Sequence, residues 1–313
     1  MKILVTGSIA YDTIMVFPDR FRNHLLADQL HILNVCFLTP EMRREYGGTA
    51  GNIAYNLGLL GETPLVMATV GEDIGPYLAR LEQLGLPATH LKRIPGQFTA
   101  QAFITTDLDN NQLIAFHPGA MNHSHENVIT PSLGAGLAII GPDGKDGMHE
   151  HARQCARHGI PFMFDPGQGL PMFSAQELEE FISLASYVAV NDYEGKMLEE
   201  KTGTSLERLA SRVKALIYTL GGKGSLIYAE GQRHEIPCIE AQAVVDPTGC
   251  GDAYRAGLLY GIARGWDWPT AGRLGSLMGS IKIAQRGAQN HAPARDEIEK
   301  RFVGAFGYSP WKG

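Results

Sequence analysis

From about residue 130 onward, short apolar runs alternate with longer amphipathic stretches, the pattern of β-α units wound around a mostly parallel sheet. Leu137 to Ile140, Pro161 to Phe164, Tyr187 to Val190 and Ala215 to Thr219 read as strands. Amphipathic helices are expected after Gly147, after Ser174 and after Asn191. Ser225 to Pro237 alternates like a hairpin, with Glu230-Gly231 as a turn that tolerates positive φ, which predicts an antiparallel edge. The opening Met1 to Gly7 holds an apolar run too short for a secretory leader and reads as a first strand.

Three β-like pieces break this rhythm nearer the start: Tyr11 to Phe17, Leu30 to Leu38 and Thr99 to Phe116. They are too far apart to form one local hairpin, so a small separate sheet is expected. Open α/β sheets carry their sites outside the carboxyl ends of the strands, and a sheet projecting there acts as a lid. The bland alternative is a β-extension with no role. No linker or repeat divides the chain, so residues 1–313 read as one doubly wound α/β domain, with a discontinuous β-lid from about 10–46 and 97–118.

Composition narrows the partners. With 313 residues, 44% of them hydrophobic, the chain is long enough for one large core. A net charge of -6 without a Lys/Arg block offers no footprint for nucleic acid or a membrane surface, and no stretch approaches a membrane span. Cys36, Cys155, Cys238 and Cys250 lack Cys-x-x-Cys spacing and read as reduced thiols in the cytoplasm. His117, His123, His125, His149 and His151 lack the spacing of a transition-metal site and read as solvated or locally capped.

The most informative stretch runs from Val245 to Gly257, Val-Asp-Pro-Thr-Gly-Cys-Gly-Asp-Ala-Tyr-Arg-Ala-Gly, a glycine-rich turn entering a helix that continues to about Ala263. Small residues let backbone N–H groups converge at a helix N-terminus, where the macrodipole favours an anion such as a transferring phosphoryl group. Asp252 in the first turn has two readings on this segment alone. It caps orphan N–H groups, or it takes the proton of an attacking alcohol beside the phosphoryl cradle. No Gly-Lys-Ser/Thr follows, so this is not a Walker A loop. Cys250 has no neighbouring His and serves the turn through its size.

Asp-x-Thr-Gly-x-Gly-Asp opening a helix resembles the second signature of the PfkB, or ribokinase-like, carbohydrate and nucleoside kinases. The resemblance implies a ribokinase-like fold, Asp252 as catalytic base, and an anion hole from the backbone of Gly249, Cys250 and Gly251. Pro247 and Cys250 depart from the commonest wording of that signature and leave its glycines and acid in place.

Gly47-Gly48-Thr49-Ala50-Gly51-Asn52-Ile53-Ala54-Tyr55-Asn56-Leu57-Gly58 leads from the last lid-like strand into a small-residue helix. By itself a Gly-Gly turn is a common way to cap a tightly packed helix. Its wording is similar to the first signature of the same family, which implicates Gly48 and Asn52 in holding sugar hydroxyls. Asp12 matches the family's ribose-diol acid, and a carboxylate suits two vicinal hydroxyl donors. As a bare residue, it is also an ordinary turn Asp before a strand.

On the nucleotide side, Asn191 and Glu194 fit the family's Asn-x-x-Glu motif, which organises magnesium through water together with phosphate. The same residues describe a helix N-cap and its first-turn Glu. Thr219-Leu220-Gly221-Gly222-Lys223-Gly224 resembles the nucleotide loop and implies ATP contacts by Thr219, Gly221 and Gly224, with Asn290 beside the ATP base and ribose. The expected co-substrates are magnesium and ATP, with a monovalent cation (K+) as a further candidate, and the chain is expected to work as a monomer or homodimer. Phe164-Asp165-Pro166-Gly167-Gln168 and His117-Pro118-Gly119-Ala120 look like bacterial adenosine or broader nucleoside kinases, so the implied reaction transfers the γ-phosphoryl group to the 5′-hydroxyl of adenosine or a related ribonucleoside. Phe98, Phe103 and Phe116 are expected either to face the base or to fill the lid core. A ribokinase-type or other sugar kinase is the alternative acceptor class, and a catalytically silent nucleoside or sugar sensor the alternative without chemistry.

Overall fold

The computed structural model describes residues 1–25, 34–109 and 111–311. In chain order the elements are β1 (Lys2–Thr6), β2 (Ala10–Val16), β3 (Glu41–Gly47), α1 (Thr49–Leu59), β4 (Leu65–Val70), α2 (Gly75–Gln83), β5 (His90–Arg93), β6 (Ala100–Thr106) and β7 (Gln112–His117). They continue with β8 (Ala135–Ile140), α3 (Lys145–Arg157), β9 (Phe162–Phe164), α4 (Ala175–Leu184), β10 (Tyr187–Asn191), α5 (Asp192–Thr202), α6 (Leu206–Ala210) and β11 (Ala215–Thr219). Last come β12 (Ser225–Ala229), β13 (Gln232–Ile236), α7 (Cys250–Ala263), α8 (Trp268–Ile283) and α9 (Arg295–Phe306).

Among the described residues the main sheet has nine strands in the order β13-β12-β11-β10-β9-β8-β1-β4-β5, parallel from β11 to β5 and antiparallel across the β11-β12-β13 edge. Period-two alternation splits its side chains between two cores. Ile3, Val5, Leu137, Ile139, Ala189 and Ile217 join the core under α1, α2, α7, α8 and α9, while Leu4, Ala138, Ile140, Val188, Val190 and Leu216 join the one under α3, α4, α5 and α6. The opening strand and those read from the sequence beyond residue 130 all lie in this sheet. The hairpin turns through Glu230 (φ 55°) and Gly231 (φ 72°), the two left-handed residues a short hairpin needs.

A separate four-stranded sheet has the order β3-β2-β6-β7. Two boundaries differ from expectation. Of the Leu30 to Leu38 piece, residues 30–33 lie outside the described residues and 34–38 carry no strand; the pairing strand is β3, Glu-Met-Arg-Arg-Glu-Tyr-Gly. That segment has no apolar alternation because most of it is not buried, so hydrophobic patterning cannot find it. Thr99 to Phe116 is two strands, turned where the Asp107 carboxylate accepts from the N–H groups of Asp109 and Asn111, both at 2.9 Å.

The order in which strands are added to the sheet reverses between β1 and β8, which are parallel: β4 and β5 extend it on one side of β1, and β8 to β13 extend it on the other. Ligands of open α/β sheets collect at such a switch point, at the carboxyl ends of the strands. There the Ser8 N–H donates to the carbonyl of Pro142 (3.0 Å), closing the bottom of the cleft beside α1.

Candidate active site

Gly48 sets the entry to α1. Its φ is +85°, and a Cβ there would stand 2.5 Å from the Ser8 carbonyl oxygen, so only glycine lets the chain pass under β2 and turn into the helix. Gly47 makes room for a side chain instead: a Cβ would lie 2.6 Å from Oδ2 of Asp12. Asp12 on β2 pairs across the small sheet with Glu45 and Ala102, and Ala102 with Phe116, which places these four on one face. Phe103 pairs with Thr13 and Ala115 and lies on the opposite face. Phe98, Phe103 and Phe116 are all exposed, so none of the three fills a lid core. Burial pushes the Asp12 carboxyl up to about 6, reinforced by the negative charges of Glu45 and Asp246.

Asn52, one turn into α1 and buried, points at the start of α7. Its Nδ2 donates to Oδ2 of Asp252 at 2.8 Å, while its Oδ1 accepts from Nε2 of Gln289 at 3.0 Å. Gln289 Nε2 also donates to the Tyr77 hydroxyl (2.7 Å), which donates to the Gly47 carbonyl (2.9 Å). This chain joins the two glycine motifs through residues that neither motif contains. Tyr77 and Gln289 were not legible as site residues.

Gly249 precedes α7 with φ +79° and packs so closely that a Cβ would meet the Ala288 Cβ at 2.8 Å. The Cys250 N–H is already bonded to the Pro247 carbonyl (3.1 Å), so the first-turn amides left to face the cleft are those of Gly251 and Asp252. The Cys250 thiol is pushed up to about 11 by burial and stays protonated, which leaves it no nucleophilic role at neutral pH. The Asp252 carboxyl is enclosed by protein while the residue keeps an edge on the cleft. Enclosure raises it to about 7, against the Asn52 hydrogen bond and Arg255 and with the help of the Asp165 and Asp12 charges. A carboxylate tuned to neutral pH at a helix N-terminus, beside outward-facing amides, is equipped to accept a proton.

A cavity of about 590 Å³ opens over this point. Its wall brings together Thr49, Pro142, Asp165, Asn191, Glu194, Thr219, Gly221, Gly249, Gly251, Asp252 and Arg255 from the carboxyl ends of four strands and the starts of α1, α5 and α7. Gly224 is not in that wall. It abuts β13, where a Cβ would stand 2.1 Å from the Ile236 carbonyl oxygen. Asn290 is also elsewhere, donating to Glu45 of β3 at 2.8 Å and to the Arg286 carbonyl at 2.9 Å.

Arg255, one turn after Asp252, is buried and grips Asp165 through Nε (2.8 Å) and Nη2 (3.0 Å), with Glu194 3.9 Å away. Asn191 caps α5 in a reciprocal box: its Oδ1 accepts from the Glu194 N–H, and its own N–H and Nδ2 donate to the Glu194 carboxylate, all at 2.8 Å. Burial raises the Glu194 pKa, with Asp165 adding to it and Arg255 opposing. Among the described residues no three His, Cys, Asp or Glu side chains converge as a metal cage. The Glu194 carboxylate, occupied by Asn191 on both oxygens, fits magnesium only through water, the way that ion is held when phosphates supply its inner ligands. A potassium ion does not fit at the cradle loop, where the Asp246 carbonyl already holds the Lys282 ammonium at 2.7 Å. Of the histidines, His151 is buried rather than solvated and lies 3.2 Å from the Asn127 carbonyl.

The pfkB family carbohydrate kinase model matches residues 9–295. The chain belongs to the pfkB family of carbohydrate kinases. This pfkB-family kinase is 33% identical over 274 residues to a nucleoside kinase of Methanocaldococcus jannaschii, covering 86% of this chain and 89% of that one. It is 30% identical over 316 residues to a nucleoside kinase of Methanothermobacter thermautotrophicus, covering 98% and 97%. Among solved structures, the Burkholderia thailandensis nucleoside kinase in complex with inosine superposes with a TM-score of 0.90 at 54% identity, covering 98% of this chain and 99% of that one. A Thermotoga maritima ribokinase, at 22% identity and a TM-score of 0.80, shares the ribokinase-like fold.

Proposed function

We propose that the chain phosphorylates the 5′-hydroxyl of a purine ribonucleoside, adenosine or inosine first, at the expense of ATP. The observation that carries this reading is the Asp252 carboxyl, tuned to about 7 and held by Asn52 at the mouth of the α7 amide cradle. The likeness to a Burkholderia thailandensis kinase solved with inosine, and with ADP and inosine, supports the acceptor class.

In this mechanism Asp252 takes the hydroxyl proton as the oxygen attacks the γ-phosphorus in line, and the bond to the β–γ bridging oxygen breaks to release ADP. The backbone at Gly249, Cys250 and Gly251 forms the cradle, with the Gly251 and Asp252 amides facing the transferring oxygens as charge shifts onto them. Asp12 accepts both ribose hydroxyls, aided by the close backbone approach at Gly48, while Phe116 on the same lid face offers an apolar surface to the base. Asn191, Thr219 and Gly221 line the ATP side, and Gly224 shapes that loop by letting it pass β13. Asn290, bonded to Glu45, ties the C-terminal segment to the lid. Magnesium bound with ATP neutralises phosphate charge, and Asn191 and Glu194 would hold it through water. Residues 10–46 and 97–118 are the lid of a single domain, closing over the acceptor and excluding water.

The reading includes a cytoplasmic setting in purine salvage, supported by the ATP requirement, four unpaired cysteines and the lack of any membrane-length apolar helix among the described residues. A homodimer through the lid is favoured over a monomer by the exposed Met42, Phe103 and Leu113, which share the sheet face opposite Asp12. A panel of nucleosides and free sugars with ATP and magnesium, scored by kcat/KM, tests the function. Preference for adenosine or inosine supports it, and preference for free ribose would move the chain to the sugar kinases.

A further inference from the structure

Lys282 lies in the last turn of α8 with no solvent exposure, a costly place for an ammonium group unless it is fully engaged. Its Nζ donates to the carbonyl of Asp246 at 2.7 Å and to that of Gln285 at 3.1 Å. The two carbonyls belong to different loops. Asp246 opens the turn that delivers Gly249, Gly251 and Asp252, and Gln285 opens the segment that delivers Ala288 and Gln289.

Several contacts make those loops one unit. The Asp246 carboxylate accepts from the N–H groups of Thr248 and Gly287, both at 2.9 Å. The N–H groups of Val245 and Asp246 donate to the Ile283 carbonyl at 2.9 and 3.1 Å. Gly249 is packed on Ala288, and Gln289 steers Asn52, which holds Asp252. Lys282 therefore stands where the cradle and the residues that aim the base are fixed relative to each other. It does not line the cavity, so any effect on turnover is one of position. Two carbonyl oxygens beside a carboxylate form a donor set that demands a cation, and a neutral side chain would leave both carbonyls unpaired.

We propose that the Lys282 ammonium is a built-in cation that positions the phosphoryl cradle, doing within the chain what an added monovalent ion would otherwise do between these two loops. The proposal rests on the phosphoryl-transfer reading and predicts an enzyme that works without such an ion.

The test compares turnover in alkali-metal-free buffer with turnover in saturating potassium chloride, ionic strength being matched with tetramethylammonium chloride. Wild-type kcat should change by less than about twofold, and the Lys282→Ala variant should lose roughly 10²-fold in kcat while nucleoside KM moves less than about threefold. Ammonium, methylammonium or potassium should restore Lys282→Ala by at least about tenfold, because the emptied space admits a cation, whereas Lys282→Met fills it and should not respond. Stimulation of the wild type by potassium of more than about tenfold, an undiminished kcat in Lys282→Met, or a Lys282→Ala deficit that no cation relieves would each overturn the proposal. If Lys282→Ala does not fold, the kcat of Lys282→Met decides together with the wild-type series: a potassium-insensitive wild type with a Met variant reduced by about tenfold or more supports the proposal, and an undiminished Met variant overturns it. A wild type that phosphorylates no nucleoside in any buffer contradicts the kinase reading and removes the proposal with it.

Discussion

Asn52 and Asp252, 200 positions apart, meet in a 2.8 Å hydrogen bond from Nδ2 to Oδ2. The bond ties the helix entered through Gly47 and Gly48 to the helix entered through Gly249 and Gly251. It also favours the charged form of a carboxyl that enclosure would otherwise keep protonated.

That bond sets a pH limit. With Asp252 at about 7, kcat at saturating nucleoside should rise about tenfold per pH unit below that point and level off above it, since the base acts only when deprotonated. Removing the Asn52 donor raises the pKa further. The Asn52→Leu profile should therefore move its acid limb upward by about one unit and lose roughly tenfold in plateau kcat. An unshifted limb would show that Asn52 does not tune the base.

Asp12 gives a second, separable limb. Its carboxyl lies at about 6, and only the carboxylate accepts from both ribose hydroxyls. Nucleoside Kd, measured by calorimetry without ATP, should weaken as pH falls through about 6. Asp12→Asn should bind roughly 10²-fold more weakly at pH 8 and lose this dependence. Equal affinity of the two proteins at pH 8 would remove Asp12 from the acceptor site.

Arg255 is a matter of stability first. Its side chain is 6% exposed and that of its partner Asp165 is 3% exposed, so Arg255→Met strands a buried carboxylate beside Glu194. Urea denaturation should show a loss of about 3–5 kcal/mol for Arg255→Met. Arg255→Lys keeps the charge but not the two-pronged grip, and should fall between the variant and the wild type.

Much of this architecture is legible in the chain because its strongest signals are local. Ala215 to Thr219 is a strand because an unbroken apolar run suits burial on both faces, and Glu230-Gly231 fixes its hairpin by backbone sterics alone. The strand β3 of the small sheet escapes because Met42, Arg43 and Arg44 answer to no buried face. The strands β4 and β5 and the helices α8 and α9 fall in stretches without a clear pattern, so 60–97 and 264–306 carry no helix or strand assignment beforehand. At the site, the glycine-rich turn leads to Asp252, while Asn52 is reached only through the resemblance of the first glycine motif to the kinase signature, and there as a sugar ligand, not as the partner of Asp252. Arg255 had a signal of its own, a lone cation inside an otherwise apolar helix, which predicts a buried partner. Tyr77 and Gln289 had none, because what makes them matter is contact across more than 200 residues of chain.

The direct test of the account is the turnover of Asp252→Asn with its preferred nucleoside, measured beside nucleoside affinity. The account predicts a fall in kcat of about 10³-fold with nucleoside Kd changed less than about threefold, because the amide keeps the shape and loses only the proton acceptor. A kcat within about tenfold of wild type would contradict it.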